Sequence, residues 1–151
     1  MPARNIFKNS AHYWLLAGLN IAYFTYGPTS PTARHSSNAL VILLGVLLFL
    51  IGELGNLSTH LSLRSLRSAG GTERGIPRGL GFDWVTCPNY MFEMLAWMGI
   101  WLVNRSWSTG FFVVVAVAQM AAWASKKEGK YRREFGQQYT KKRFVMIPGA
   151  Y

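Results

Sequence analysis

Five polar residues that could bind an anionic ligand follow one another at helical spacing, directly after an apolar run. They are Glu53, Asn56, His60, Arg64 and Arg67. Steps of three and four residues place all five side chains on one face of a helix that continues from the apolar stretch 40–51. Such groups are costly on a membrane helix unless they serve a ligand or a partner. The pattern predicts a polar, anionic ligand at the membrane edge. The alternative is a structural helix whose arginines extend to the interface.

A second group of polar residues lies at the start of a later apolar stretch. The string TCPNYMFE contains Pro88, which suits the first turn of a helix because its missing N–H needs no partner there. Asn89, Glu93 and Trp97 follow at intervals of four, so they share one helix face, with Tyr90 beside them. An ionisable Glu93 in an apolar span is costly unless it is paired or faces a wet cavity. We expect a polar site here; the alternative is that Asn89 and Glu93 bond to neighbouring helices.

The elements that must position these residues are apolar helices. Of the 151 residues, 50% are hydrophobic and 15% are aromatic, while the formal net charge is +10. This combination is typical of a small multispanning membrane protein with basic loops. Four segments approach the ~20 residues that a spanning helix needs: 11–27, 39–57, 83–103 and 107–125. We predict an all-α membrane helix bundle, a single domain over residues 1–151, with about four transmembrane helices and a basic tail.

The basic residues are distributed as the positive-inside rule requires. With four spans, all but two of the 16 lysines and arginines lie on the side of both termini and the loop 58–82, and the exceptions are Arg34 and Arg105. This distribution places both termini in the cytosol. A nucleic-acid surface needs a contiguous basic patch, so we expect no nucleic-acid partner. The single Cys87 excludes an intrachain disulfide, and the three histidines are too far apart in sequence to indicate a metal site.

Several strings of residues resemble one enzyme family. CPNYMFEMLAWMG at 87–99 and YRREFGQQYTKKRFVMIP at 131–148 are similar to the C-terminal domain of the steroid 5α-reductase family. The opening MPARNIFKNSAHYW and the stretch NLSTHLSLRSLR narrow the resemblance to the very-long-chain trans-2-enoyl-CoA reductases, the fungal members in particular. The resemblance covers nearly the whole chain.

The resemblance implies a multi-pass enzyme of the endoplasmic-reticulum membrane. It would use NADPH to reduce the C2=C3 double bond of a very-long-chain trans-2-enoyl-CoA, the final step of fatty-acid elongation. The positions that match the family's cofactor contacts are Asn56, His60, Arg67, Asn89, Glu93 and Tyr131, and Arg64 and Arg143 are further candidates for phosphate contacts. Tyr90 is the candidate proton donor, since a phenol tuned by a neighbouring group can protonate an enolate. The implied partners are the acyl-CoA substrate, membrane lipids and other elongation enzymes.

Three features of this sequence are compared with the family pattern. His60 follows the enoyl-CoA reductase pattern, where steroid reductases have an aspartate. Glu128 stands three residues before Tyr131, where many members have a histidine, which weakens the case for a cofactor contact there. Members of this type carry a ubiquitin-like domain and further membrane helices ahead of the segment that opens this chain. We therefore expect a weakened or inactive catalyst when this chain acts alone.

Three other functions stay open. A non-catalytic membrane partner of the elongation machinery would retain NADPH binding without turnover. A polyprenol or steroid double-bond reductase would share the fold and the cofactor. A membrane methyltransferase of the isoprenylcysteine type would need the motif RxxxEE near the C-terminus. The stretch RREF at 132–135 offers a single glutamate, so this third alternative is disfavoured.

Overall fold

The computed structural model describes residues 3–28, 30, 38–66, 75–139 and 144–150, and its regular structure is helical. The helices are α1 (Ala3–Ala11), a π-helix (His12–Leu19), α2 (Asn20–Tyr26), α3 (Ala39–Ser65), α4 (Pro88–Asn104), α5 (Trp107–Phe135) and a 3-10 helix (Gly136–Tyr139). Among these residues there is no β-strand, and one isolated parallel bridge joins Val85 and Phe144. The prediction of an all-helical fold is confirmed.

Helix α3 carries both the apolar run and the polar stripe without interruption. It begins at the Asn38 cap, whose side-chain oxygen accepts a hydrogen bond from the backbone N–H of Leu40 at 2.9 Å, and it continues for 27 residues. At ~1.5 Å per residue this is a rod of about 40 Å. Four members of the predicted stripe, from Glu53 to Arg64, lie within it as expected, whereas Arg67 lies outside the described residues.

Two helices are long and apolar enough to cross a membrane, judged by length and composition. They are Ala39–Ser65 and Trp107–Tyr139, which contain the second and fourth predicted spans. The first predicted span, 11–27, is helical as far as Tyr26 but is divided by the π-helix. The third predicted span, 83–103, overlaps α4, which has only 17 residues. The structure therefore supports membrane association through two of the four predicted spans.

Helix α4 begins at Pro88, as its proline predicts, and not at residue 83 where the apolar stretch starts. Gly81 has φ +75° and stands in a turn in which the N–H groups of Trp84 and Val85 bond back to its carbonyl at 3.0 and 2.9 Å. The next two N–H groups, of residues 86 and 87, donate to the carbonyls of Phe144 and Val145 at 2.8 and 3.0 Å. Residues 86 and 87 thus pair with the C-terminal segment 144–150, which we call the tail. Their backbone groups are therefore not available to extend α4.

Helices α3 and α4 pack with their backbones almost in contact. A Cβ atom placed on Gly52 would lie 2.5 Å from the backbone nitrogen of Ala96 and 2.7 Å from the carbonyl oxygen of Phe92. A Cβ atom on Gly99 would lie 2.5 Å from the carbonyl oxygen of Gly45. Real Cβ atoms do not approach backbone atoms so closely, so glycine is required at these positions. Small residues that allow close helix approach are a common feature of membrane helix pairs.

Helix α5 buries one stripe of side chains at steps of four residues. The stripe consists of Phe112, Ala116, Met120, Ala124 and Glu128. The four apolar members form the main hydrophobic cluster together with Cys87 and Met146, both fully buried. The cluster thus joins α5 to the start of α4 and to the tail, while the fifth member of the stripe places a carboxylate at its end.

We predict that Gly52→Ala and Gly99→Ala each destabilise the helix pair, because the new methyl group must displace backbone atoms. Overpacking of this kind costs about 1–3 kcal/mol, or roughly 2–4 °C in melting temperature for each kcal/mol. Thermal unfolding in detergent, followed by circular dichroism, measures the effect. Gly129→Ala is the matched control, because its Cβ would meet only the tip of the Arg133 side chain at 3.7 Å. The control should be stabilised by about 0.5–1 kcal/mol. Equal melting temperatures for all three variants would contradict the close backbone contact.

Candidate functional site

A polar chamber of about 490 Å³ lies between the π-helix, α3 and α4. The polar chamber is defined by the lining residues Tyr13, Glu53, Asn56, His60, Glu93 and Trp97. Helix α3 supplies three of these from the predicted stripe, and α4 supplies Glu93 and Trp97 from its predicted polar face. The structure therefore brings together residues from two sequence motifs that were identified separately. The glycine contact between α3 and α4 sets the width of the chamber.

Tyr13 closes one side of the polar chamber and was not identified from the sequence. Its phenol donates a hydrogen bond of 2.6 Å to Oε1 of Glu93, although the two residues are 80 positions apart. Tyr13 lies at the start of the π-helix, and π-helical turns occur frequently at functional sites. A single tyrosine in an apolar stretch has no spacing signal, so this contact was not accessible to sequence reasoning.

Asn56 and Asn89 link α3 to the first turn of α4. The amide nitrogen Nδ2 of Asn56 donates to the backbone carbonyl of Asn89 at 2.9 Å. The side chain of Asn89 is 4% exposed, and its oxygen Oδ1 has no hydrogen-bond partner in the described structure. A buried amide oxygen without a partner is destabilising, and such groups are usually satisfied by a ligand, an ion or water. Asn89 therefore offers an open acceptor on the face of α4 that carries Glu93.

The polar chamber presents mainly hydrogen-bond acceptors. Glu53 and Glu93 contribute carboxylates, and His60 contributes an imidazole that can donate or accept. In the described part of the chain, no lysine or arginine lines it. Arg64 is exposed one turn beyond His60, about 6 Å farther along α3. This arrangement fits a ligand with N–H and O–H groups inside the chamber and negative charge outside it, toward Arg64.

The other predicted site residues lie elsewhere. Tyr90 is half-buried, with its ring 6.4 Å from that of Trp123, and it packs against the α5 cluster rather than lining the polar chamber. Tyr90 is nevertheless an electrostatic neighbour of Glu93. Tyr131 is 3% exposed and its ring stands edge-on to that of Tyr139 at 5.7 Å, so it does not line the chamber either. Arg67 and Arg143 lie outside the described residues.

Glu128 is the centre of a group of hydrogen bonds that we call the Glu128 cluster: the buried Thr86, Glu128 and Tyr139, and the exposed Arg132. The hydroxyl of Thr86 donates to Oε2 of Glu128, and the hydroxyl of Tyr139 lies 3.0 Å from the same oxygen. Nε of Arg132 donates to Oε1 at 2.6 Å. Both carboxylate oxygens are therefore occupied by protein groups. The Glu128 carboxylate thus joins α5, the 3-10 helix and the segment before α4.

Comparison with known proteins assigns this chain to a family. The family model described as 3-oxo-5-alpha-steroid 4-dehydrogenase matches residues 1–151, the whole chain. The chain belongs to the steroid 5α-reductase family. The resemblance stated from its motifs is thus confirmed.

Individual relatives show which enzymes of the family this chain is similar to. A Schizosaccharomyces pombe protein that bears the name of an enoyl reductase is 47% identical over 148 residues, which are 98% of this chain and 49% of that protein. The very-long-chain enoyl-CoA reductase of Dictyostelium discoideum is 41% identical over 98% of this chain and 48% of its own length. A steroid 5-alpha-reductase of Solanum lycopersicum is 35% identical over 72% of this chain and 42% of its own length. By their names these relatives are oxidoreductases. The chain spans about half the length of the curated relatives it matches.

We predict that Tyr139→Phe destabilises the protein, because the buried Glu128 carboxylate loses a hydroxyl beside it. An under-satisfied buried carboxylate costs about 1–3 kcal/mol. Thermal unfolding measures the loss, and limited proteolysis within residues 75–87 should become faster because that segment is held by Thr86. Tyr23→Phe is the control, since Tyr23 is 73% exposed. Identical melting temperatures for the two variants would show that the Glu128 cluster does not hold this segment.

Proposed function

We propose that this chain forms the cofactor-binding part of an NADPH-dependent reductase of very-long-chain trans-2-enoyl-CoA, the enzyme of the final step of fatty-acid elongation. The observation that carries the proposal is the convergence of Asn56, His60 and Glu93 on one polar chamber. These three residues come from two separate motifs, one on α3 and one on α4, and each matches a position that the family resemblance links to the cofactor. The similarity to enoyl-CoA reductases over 98% of the chain supports the substrate class.

The polar chamber fits the nicotinamide end of NADPH by the chemistry of its groups. A carboxamide carries two N–H donors and a ribose carries hydroxyl donors, and the chamber offers the carboxylates of Glu53 and Glu93 to accept them. The unpartnered Oδ1 of buried Asn89 is a further acceptor suited to such a donor. Guanidinium groups bind phosphates well, so Arg64 and Arg67 would hold the phosphate end. When bound, NADPH supplies a hydride to the β-carbon of the substrate.

The chain's own residues have three tasks in this proposal. The hydrogen bond from Tyr13 fixes the side chain of Glu93, so that its carboxylate keeps one orientation in the polar chamber. Trp97 packs on the ring of Phe112 at 4.4 Å and keeps water out of the adjoining apolar cluster. Tyr90 holds the proton that is delivered to the α-carbon. Tyr131 and Arg143 remain proposed cofactor contacts on the side of α5 and the tail.

The proposed location is the endoplasmic-reticulum membrane. Two spans are supported by length and composition, and we propose that the segments 11–27 and 83–103 complete a four-span arrangement with both termini in the cytosol. The basic end of α5, which includes the exposed Lys126, Lys130 and Arg133, then faces the cytosolic leaflet, where anionic lipids attract positive charge. Acyl-CoA, membrane lipids and other elongation enzymes are the proposed partners.

A steroid double-bond reductase is the second candidate function. The name of the matching family model and the similarity to the Solanum lycopersicum enzyme favour it. A single assay separates the two candidates: NADPH oxidation by membranes that contain only this chain, with a long trans-2-enoyl-CoA or a steroid enone, and with the product identified by mass. We expect a saturated acyl-CoA if the chain suffices for catalysis. Reduction of the steroid alone would overturn the proposal.

We predict that Glu93→Gln and Arg67→Ala each weaken NADPH binding. Loss of a hydrogen bond to a charged group costs about 1.5–3 kcal/mol, which corresponds to a rise in the dissociation constant of roughly tenfold or more. Cofactor fluorescence with the protein in lipid nanodiscs measures the constant. Glu134→Gln is the matched control, because Glu134 is exposed on α5. If all three variants bind NADPH like the original chain, the assignment of the polar chamber is wrong.

We predict that Tyr90→Phe lowers reduction by about a hundredfold or more while leaving NADPH binding unchanged, because general acids contribute factors of that size. The rate is measured by NADPH oxidation in the same assay, and binding by fluorescence. Tyr23→Phe, at an exposed tyrosine on α2, should change neither quantity. Full activity of Tyr90→Phe would assign the proton to another group.

A further inference from the structure

A second cavity, of about 410 Å³, adjoins the polar chamber. We call it the apolar chamber, and its principal lining residues are Ile21, Val46, Phe49, Ile100 and Val103. Phe49 and Ile100 line both cavities, so the two chambers meet at these side chains. The amide of Asn104, at the rim, is already engaged by the hydroxyl of Thr109 at 2.7 Å.

On α3 and α4 the lining of this groove changes from polar to mostly apolar at the same level, whereas α2 contributes Ile21 together with the hydroxyl-bearing Thr25 and Tyr26. On α3 the lining runs from His60 down to Val46, a distance of about 21 Å along the helix. On α4, which runs in the opposite direction, it passes from Glu93 to Val103. The N-terminal helices supply Tyr13 at the polar end and residues of α2 at the apolar end. Together the chambers form one amphipathic groove.

We propose that the apolar chamber binds the acyl chain of the substrate, which enters it from the polar chamber between Phe49 and Ile100. This inference rests on the proposed function and adds the position of the substrate to it. With the nicotinamide in the polar chamber, the apolar chamber is left for an apolar group, and a long-chain acyl thioester carries such a group directly beside its reactive double bond.

The shape of the apolar chamber, rather than its hydrophobicity, sets its selectivity. Inside a bilayer an acyl chain gains little from exchanging lipid for apolar side chains, so fit decides where the tail lies. Gly99 forms part of the wall because α4 contacts α3 there without side chains. Val46 and Val103 are 41% and 40% exposed, so either can be enlarged without crowding the core. Val46 and Val103 therefore limit how much of the acyl chain enters the apolar chamber.

Photo-crosslinking tests the position of the acyl chain without requiring turnover. The probe is a saturated long-chain acyl-CoA with a diazirine near the tail end, added to the full chain in lipid nanodiscs, with labelled peptides identified by mass spectrometry. We expect labelling on peptides that contain Ile21, Val46 or Val103, and competition by unlabelled long-chain acyl-CoA. Labelling confined to outward side chains of α3 such as Leu43 and Leu47 would overturn the proposal. Equal labelling of the chamber by a diazirine phospholipid, without competition by acyl-CoA, would also overturn it.

Enlarged side chains provide the matched test. Val46→Phe and Val103→Phe should each reduce chamber labelling by about fivefold or more for the long probe and leave a short-chain probe unaffected. Val114→Phe, at a valine of α5 that is 67% exposed, is the control and should change neither. Unchanged labelling in both chamber variants would overturn the proposal.

A measurement of NADPH binding on the same samples distinguishes the proposed acyl site from the proposed reductase function. Acyl-chain labelling in the apolar chamber without NADPH binding would uphold the acyl site and remove the reductase proposal. NADPH binding without chamber labelling would retain the cofactor site and remove the acyl site.

Discussion

The backbone contact between α3 and α4 determines where the polar groups of this protein lie. Because Gly52 and Gly99 bring the two helices together without intervening side chains, the amide of Asn56 reaches the carbonyl of Asn89 at 2.9 Å. The same approach turns Glu53 and Glu93 toward one cavity. In a membrane there is little hydrophobic force between helices, so close packing and such hydrogen bonds must supply the association. A larger residue in the contact would separate the two motifs that together form the candidate site.

A second constraint acts on the segment immediately before α4. The Glu128 carboxylate is buried, and burial of a charge is tolerated only when hydrogen bonds and a counter-charge compensate for lost hydration. Thr86, Tyr139 and Arg132 provide that compensation. The arrangement fixes the residues immediately before Pro88 and hence the direction in which α4 leaves its first turn. Asn89 and Glu93 are therefore held from both sides, by glycines on α3 and by the carboxylate on α5.

The parts of this structure that depend on local periodicity could be predicted from the sequence. The 3.6-residue repeat places Glu53, Asn56 and His60 on one face of α3, and the conformational preference of Pro88 marks the start of α4. The contact between Tyr13 and Glu93 could not be predicted, since it depends on how two distant helices lie against each other. The role of Glu128 was also inaccessible, because a glutamate in a basic segment has the pattern of an exposed surface residue. The cofactor role of Tyr131 and the proton-donor role of Tyr90 remain predictions, and neither residue lines the polar chamber.

The pairing of the tail with the segment before α4 has a consequence for biosynthesis. The N–H groups of Thr86 and Cys87 bond to the carbonyls of Phe144 and Val145, and all of α4 and α5 separates the two partners in sequence. A ribosome makes Phe144 and Val145 only after both helices, so the N–H groups just before α4 wait for these partners until α5 is complete. Contacts between distant segments form late because closing a long loop costs entropy before it is rewarded. Asn89, in the first turn of α4, is thus the acceptor of the candidate site that reaches its final position last, whereas the α3–α4 contact is available earlier.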